Sequence, residues 1–568
     1  MTEKTHTSPA PPSPGDGIWP NETPNQVQRH YRPAIHPDVV GHPGFGYRTE
    51  EVEGVLIERD VMVPLRDGTR LYADVYRVAG ELVPAIVCYS PFGKHPHIDL
   101  GLFDGAEFPV DKLSEHTPFE VFDPIRWAKE GFAICVVDGV GNWHSEGTAQ
   151  FFDQQEALAG YDTVEHFAGL EWCNGKVGWG AVSYFAMTAW SVAALNPPHL
   201  AAILTWDAAS DTYRETNHHG GIPSTLTHNW MLLTGVGLGQ VEDMEATQSE
   251  HPLFDEWWQL RVADWSKITV PTYSITEWGN DIHLRGTVQA WREVAAPQKY
   301  LDITGGKEWA EFYSDWAFER QRAFLGQFLR AESNGVDDWA PVRIGIRTGG
   351  DTWEFREELA FPLERTKYRN YHLDARGASA GHEQVEEEAS VSYDSTRQGD
   401  GAEFIIRFEE PTEVTGYSKV RFWVSADLHN DADLFVAFER VRPSGEVVPH
   451  IFSQMWNEGP AAFGWLRASH RELDPEKSTE WQPYHRHQRR QWLVHGTPVP
   501  VDIEVWPTNI MFEAGDSLRI LVRGTLIHPD PNAPMATNYM TRNLGRHIIH
   551  TGGKYDSRVV LPLIPSSH

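Results

Sequence analysis

The chain reads as an α/β domain built on a mostly parallel, doubly covered sheet, followed by an all-β sandwich. Three observations carry this. Pro84 to Tyr89 and Phe132 to Asp138 are short, almost wholly apolar runs, the pattern of strands buried on both faces. Helical patterns such as Gly160 to Ala168 alternate with them, as crossover helices between parallel strands do. Beyond Asn334-Gly335 the period switches to two, in Val342 to Arg347, Ala402 to Phe408, Ser418 to Ala426, Leu434 to Arg440 and Ser517 to Arg523, with no long helix.

The elements follow in order. Residues 1–48 are rich in Pro, Thr, Ser and His and read as an extended arm. Val55 to Val63 and Thr69 to Tyr76 read as two strands joined at Asp67-Gly68, a hairpin turn signal. Residues 208–265 mix aromatic and polar side chains with little strand pattern and read as a helical cap. The sheet resumes at Thr269 to Thr276 and Lys299 to Ile303, and a helix over Phe318 to Leu329 closes the unit. The expected division is an arm over 1–48, the α/β domain over 49–335 and a jelly-roll sandwich over 336–568.

One stretch points to chemistry. In Val177-Gly178-Trp179-Gly180-Ala181-Val182-Ser183-Tyr184-Phe185-Ala186 an apolar run meets a serine, and a helical pattern from Met187 to Leu195 follows. This is how the nucleophile elbow of an α/β-hydrolase reads. The turn lifts the serine hydroxyl above the sheet and aims a helix N-terminus at the reacting oxygen. Alanines stand at 181 and 186, where close backbone approach usually asks for glycine.

Several further segments accompany the elbow. They are Val63-Pro64-Leu65-Arg66-Asp67-Gly68-Thr69, Ser90-Pro91-Phe92-Gly93-Lys94-His95, Ser145-Glu146-Gly147, His219-Gly220-Gly221-Ile222-Pro223 and Leu284-Arg285-Gly286-Thr287. Gly464-Trp465-Leu466-Arg467 and His550-Thr551-Gly552-Gly553-Lys554-Tyr555-Asp556 complete the set. With the elbow, cap and sandwich in this order, the chain resembles the X-Pro dipeptidyl-peptidase and cocaine esterase-like (CocE/NonD) serine hydrolases from about residue 50 to 565. That resemblance implies hydrolysis of an ester or amide, without naming the substrate.

The resemblance also implies a Ser–Asp–His triad in chain order, with a tyrosine hydroxyl and the N–H after the serine as oxyanion donors. Ser183 fits the nucleophile and the Tyr184 N–H one donor. The other positions depart. Phe92 stands where the tyrosine belongs, and a phenyl ring donates nothing. The acid is expected two residues after Trp278, where Asn280 stands, so Asp281 is the candidate carboxylate. Thr304-Gly305-Gly306-Lys307-Glu308-Trp309 should hold the base but contains no histidine. His283 is the candidate replacement, and His219 and Trp278 are candidate pocket-wall residues. His144, after a strand end, is weighed as a further pocket residue. Two readings stand: a serine hydrolase working through Ser183, Asp281 and His283, or a repurposed member catalysing a cyclisation, elimination or isomerisation, or only binding a ligand.

Composition limits the partners. The 568 residues carry a formal charge of −32, which disfavours nucleic acid and anionic membrane and leaves a small-molecule substrate. Cys88, Cys135 and Cys173 lie in apolar surroundings and read as buried thiols. No apolar run is long enough to span a bilayer and no secretory pattern opens the chain, so a cytoplasmic location is expected. Tyr484-His485-Arg486-His487-Gln488 reads as a solvated loop, and no metal or cofactor is expected; a homodimer is left open.

Overall fold

The structure is a computed structural model that describes residues 29–349, 352–453, 455–528 and 536–565. Its first layer is an eleven-stranded sheet. Six neighbouring parallel strands form the centre, in the spatial order Lys299–Thr304, Thr272–Glu277, Leu200–Trp206, Cys173–Val182, Val83–Ser90 and Ala133–Asp138. The Val83–Ser90 and Ala133–Asp138 strands are buried along their whole length, which explains their unbroken apolar sequence. Helices Gln154–Ala168 and Tyr184–Ala194 pack against each other and the sheet. The hairpin around Asp67-Gly68 forms as expected and pairs antiparallel with Ala133–Asp138.

At the other edge the sheet runs past the expected domain boundary. Val342–Gly349 pairs in parallel with Lys299–Thr304, and Thr352–Glu358 adds an antiparallel edge. Val342 to Arg347, read from its period as the first sandwich strand, is thus a strand of the hydrolase sheet. The alternation is real, but period alone does not reveal the pairing partner.

The second layer is a twelve-stranded sheet whose long strand Thr412–Ala426 also pairs with Arg558–Ile564, folding the sheet back on itself. Phe404, Phe422, Leu434, Ile503, Ile520 and Ile549 are among the residues packed in its interior. A separate apolar cluster joins the two layers. Trp278, Leu284, Leu301 and Ile303 of the α/β unit meet Tyr417, Phe435, Trp465 and Trp506 of the sandwich.

The expected cap is less helical than anticipated. It contains the helices Leu226–Leu233, Met244–Glu250 and Glu256–Gln259, a π-turn over Tyr213–Asn217 and a short strand, Gln240–Glu242. That strand pairs with Tyr31–Pro33, which ties the end of the arm to the cap, and Arg29 makes a 2.8 Å ion pair with Asp153 at the start of the Gln154–Ala168 helix. Residues 1–28 of the expected arm lie outside the described residues. All three cysteines are free and buried. None of the described helices is long and apolar enough to cross a membrane.

Candidate active site

Ser183 stands between the Cys173–Val182 strand and the Tyr184–Ala194 helix with φ 54° and ψ −118°. An L-residue adopts that region at a cost, and the neighbours hold it there. Its N–H donates to Trp206 O at 2.9 Å, while its carbonyl accepts from Ala186 N (2.9 Å) and Met187 N (2.8 Å). Ala181 is also at positive φ, 145°. Gly180 cannot be replaced, because a Cβ there would lie 2.2 Å from Leu204 O. Ser183 is therefore at a strand-to-helix elbow, partly exposed, and it borders a cavity of about 110 Å³. Phe152, Tyr184, Met187, Trp230, Met244 and Ile282 supply most of the apolar wall; Thr216, Asn217 and His283 add polar groups.

His283 reaches the serine. Its Nε2 lies 3.3 Å from Ser183 Oγ. The N–H of Ala209 donates to the other ring nitrogen, Nδ1, at 3.3 Å. An imidazole whose Nδ1 accepts carries its proton on Nε2. In this tautomer the ring donates to Ser183 and has no lone pair to take the serine proton. Burial also drives the His283 pKa down to about 3, so the ring is neutral and resists protonation. Its place in the loop comes from Asn280, whose Oδ1 accepts the N–H groups of Ile282 (3.0 Å) and His283 (2.8 Å).

Asp281 does not support this histidine. Among the described hydrogen bonds none joins the two side chains. The Asp281 carboxylate is buried, is hydrogen-bonded to Ser453 of the sandwich, and keeps Oδ1 without a partner. Burial raises its pKa to about 6. The expectation of an Asp281–His283 pair thus fails on geometry: nearby positions in a tight loop send their side chains in different directions.

The expected oxyanion and wall residues divide. Tyr184 lines the cavity, its ring stacked on Trp230 at 5.7 Å and its hydroxyl donating to Glu156 Oε1 at 2.7 Å. Burial pushes Glu156 up to about 8. Phe92 is not among the cavity-lining residues; it is buried against Phe119, Tyr184 and Phe185, with centroids 5.6–6.0 Å apart. Nor do His219 and Trp278 form the wall. His219 is stacked on Trp465 and bonded to Tyr539 Oη at 2.7 Å, and Trp278 donates to Gly345 O at 2.7 Å, both where the two layers meet. His144 stacks on Phe45 instead of facing the cavity. His485 and His487 are buried, not solvated, and His487 Nδ1 meets His470 Nδ1 at 3.1 Å.

Thr216, Asn217 and Met244 were not singled out from sequence. They come from the cap, whose irregular turns bring them over Ser183 without a periodic signal.

The model of the X-Pro dipeptidyl-peptidase (S15 family) matches residues 67–243, and that of the X-Pro dipeptidyl-peptidase C-terminal non-catalytic domain matches 334–560. The second match starts before Val342, although that strand pairs with the hydrolase sheet. Cocaine esterase of Rhodococcus sp. (strain MB1 Bresler) is 24% identical over 393 residues, 57% of this chain and 63% of the esterase, so the match spans less than two thirds of that enzyme. An α-amino acid ester hydrolase shares the fold at a TM-score of 0.66 and 16% identity, covering 90% of this chain and 97% of that one. A CocE/NonD family hydrolase from Staphylococcus aureus superposes at a TM-score of 0.88 with 32% identity, over 93% of this chain and 98% of that one. With its elbow, cap and C-terminal sandwich, this chain belongs to the CocE/NonD family of hydrolases.

Proposed function

We propose that the chain is a serine hydrolase that acylates Ser183, acts on esters or amides of small molecules with an apolar acyl or aryl group, and depends on reactive acyl donors. The observation that carries the reading is Ser183 at the elbow, bordering an apolar cavity with His283 Nε2 at 3.3 Å.

The preference for reactive substrates follows from what the pair lacks. Ser183 Oγ would attack the acyl carbon, its proton passing to the leaving group or to water as the leaving group departs, and a water molecule would then cleave the acyl-serine to release the acid and return Ser183. His283 can accept the serine proton only with its own hydrogen on Nδ1, which would turn that N–H against the N–H of Ala209. The oxyanion would be met by the Tyr184 N–H alone; Phe92, packed away from the cavity, is in no position to add a donor. One missing oxyanion donor costs about 2.7–4 kcal/mol. An ester with a good leaving group needs less of both forms of help. Trp230 and Phe152 would hold the apolar part of the substrate.

A second reading, a non-hydrolytic or purely binding role, is favoured by the Ala209 N–H on Nδ1 and by the absence of a carboxylate on His283 among the described contacts. Fluorophosphonate labelling separates the two. The acyl-enzyme reading expects covalent label on Ser183, abolished in Ser183→Ala, and hydrolysis of aryl esters that steepens with leaving-group acidity. An unlabelled serine in folded protein would favour the second reading.

A further inference from the structure

The C-terminal ends of three adjacent parallel strands carry a group of acids that the hydrolytic reading does not use. Asp207 follows the Leu200–Trp206 strand, Glu277 ends Thr272–Glu277, and Glu308 opens the short helix after Lys299–Thr304. All three are buried, and one oxygen from each lies within 4.8 Å of the others. Two oxygens bound across one ion at about 2.4 Å each span that distance.

The hydrogen bonding is one-sided. Asp207 Oδ1 accepts from Thr276 Oγ1 at 2.7 Å, and Glu277 Oε1 accepts from Asn280 Nδ2 at 2.8 Å. Asp207 Oδ2 and Glu277 Oε2 accept from no well-aligned donor; the two carboxyls lie close enough to hydrogen-bond each other through one shared proton, and the Trp206 indole lies beside Asp207. In ligating carboxylates one oxygen is likewise oriented by the protein, and an ion between the facing oxygens takes the place of a shared proton. Neither residue has a lysine or arginine within ion-pair distance among the described residues. The ammonium of the neighbouring Lys307 turns away, to Gly105 O and Glu107 Oε1, both at 2.6 Å.

Two further side chains are unsatisfied beside the group. Thr304 is opposite Glu277 in the strand register, so both side chains leave the same face of the sheet. Its buried hydroxyl has no partner. Glu120 is buried too; Oε1 accepts from Trp309 Nε1 at 3.2 Å, Oε2 accepts from nothing, and its charge and that of Asp207 act on each other. Uncompensated negative charge of this density needs a cation or several protons.

We propose that Asp207, Glu277 and Glu308 hold a divalent cation of calcium's size, with Thr304 and Glu120 as neighbouring oxygen donors. The donor set is all oxygen and contains no histidine or cysteine, which suits a hard ion. The ion would tie three strand ends together and, through Glu277 and Asn280, steady the loop that carries His283. It takes no part in the acyl transfer, so the site stands or falls independently of the hydrolase reading.

Elemental analysis of the desalted full-length protein tests it, together with refolding in chelator-treated buffer with and without Ca2+, Mg2+ or Mn2+. The expected result is about one equivalent of calcium per chain, and a Tm raised by about 2–3 °C when Ca2+ is returned at a hundredfold excess over its Kd. Glu277→Gln should lose both; if it does not fold, Asp207→Asn serves in its place, and the analysis of the unaltered protein decides alone if both fail. No bound divalent ion and no response to any of the three would overturn the proposal in favour of shared protons. An equivalent of ion that persists in a folded variant would place it elsewhere and overturn it too. A response to Mg2+ alone would refute the assignment of size.

Discussion

Replacing His283 by alanine should cost this enzyme little, where the same change at an ordinary triad histidine is severe. General-base help is worth roughly 10²–10⁴-fold. Burial lowers the His283 pKa from 6.5 to about 3, which makes protonating the ring about 5 kcal/mol harder than in water. That is enough to cancel most of the help. What remains is the hydrogen bond from Nε2 to Ser183 Oγ at 3.3 Å, worth about 1 kcal/mol, or roughly fivefold. The expected loss in kcat/KM on a p-nitrophenyl ester is therefore about tenfold or less. The pH profile follows from the same shift. A ring with a folded pKa near 3 stays neutral throughout pH 5–9, so wild-type kcat/KM should show no limb at the usual histidine pKa. Measuring kcat/KM across that range for wild type, His283→Ala and Ser183→Ala checks both expectations. A loss of 10³-fold or more, with a wild-type limb near pH 6.5 that the variant lacks, would refute the reasoning and restore His283 as a working base.

Other consequences are equally concrete. Phe92→Tyr should not raise esterase activity, because Phe92 is packed among Phe119, Tyr184 and Phe185; a buried hydroxyl without a partner should lower stability by about 1–3 kcal/mol, read by urea unfolding. A gain in activity would show that the ring reaches the oxyanion site after all. Trp230→Ala removes a cavity wall and the ring stacked on Tyr184, so KM for aryl esters should rise more than kcat falls; equal KM values would place the aryl group elsewhere. The contact between cap and sandwich should be sensitive to acid. His219, His470 and His485 have folded pKa values lowered by burial to about 4, 3 and 4, so below pH 6.5 the unfolded chain binds protons that the folded chain refuses. Each then removes about 1.4 kcal/mol per pH unit as pH falls toward the folded pKa. Buried carboxylates with raised pKa values act in the opposite sense, so the readout is a difference: His485→Gln should show a smaller fall in Tm from pH 7 to 5 than wild type, and an unchanged slope would sink the idea.

Much of the frame was legible because it depends on burial and backbone geometry. Strands buried on both faces must be apolar throughout, which exposed Val83–Ser90 and Ala133–Asp138. An elbow requires a strand, a strained residue and a helix in immediate succession, which exposed Ser183. Side-chain direction in the 277–283 loop was not legible. Asp281 and His283 are two residues apart, yet one bonds to the sandwich and the other to Ser183. What separates them is the Asn280 side chain, which caps the N–H groups of Ile282 and His283 and so turns the loop. The burial of His485 and His487 was equally hidden, because it depends on residues of the cap that are far away in the chain.

The residues at the acid and base positions that the sequence resemblance implies belong to one connected group. Asn280 stands where the triad acid is expected, and an amide supplies what a carboxylate cannot: an N–H donor toward Glu277 and, more weakly, Glu308. A carboxylate in place of that amide would add another negative charge to the buried group. The same amide's oxygen fixes His283, so the residue at the implied acid position also positions the imidazole beside Ser183. Ala209, whose N–H sets the tautomer of that imidazole, lies two residues after Asp207 on the loop leaving the same strand end. On the proposed reading, building a triad here therefore takes more than one substitution. Asn280→Asp alone should destabilise the carboxylate group without activating Ser183, seen as a lower Tm and unchanged fluorophosphonate labelling. A faster labelling rate in that variant would mean that the introduced carboxylate reaches His283 Nδ1, and that the Ala209 contact yields to it.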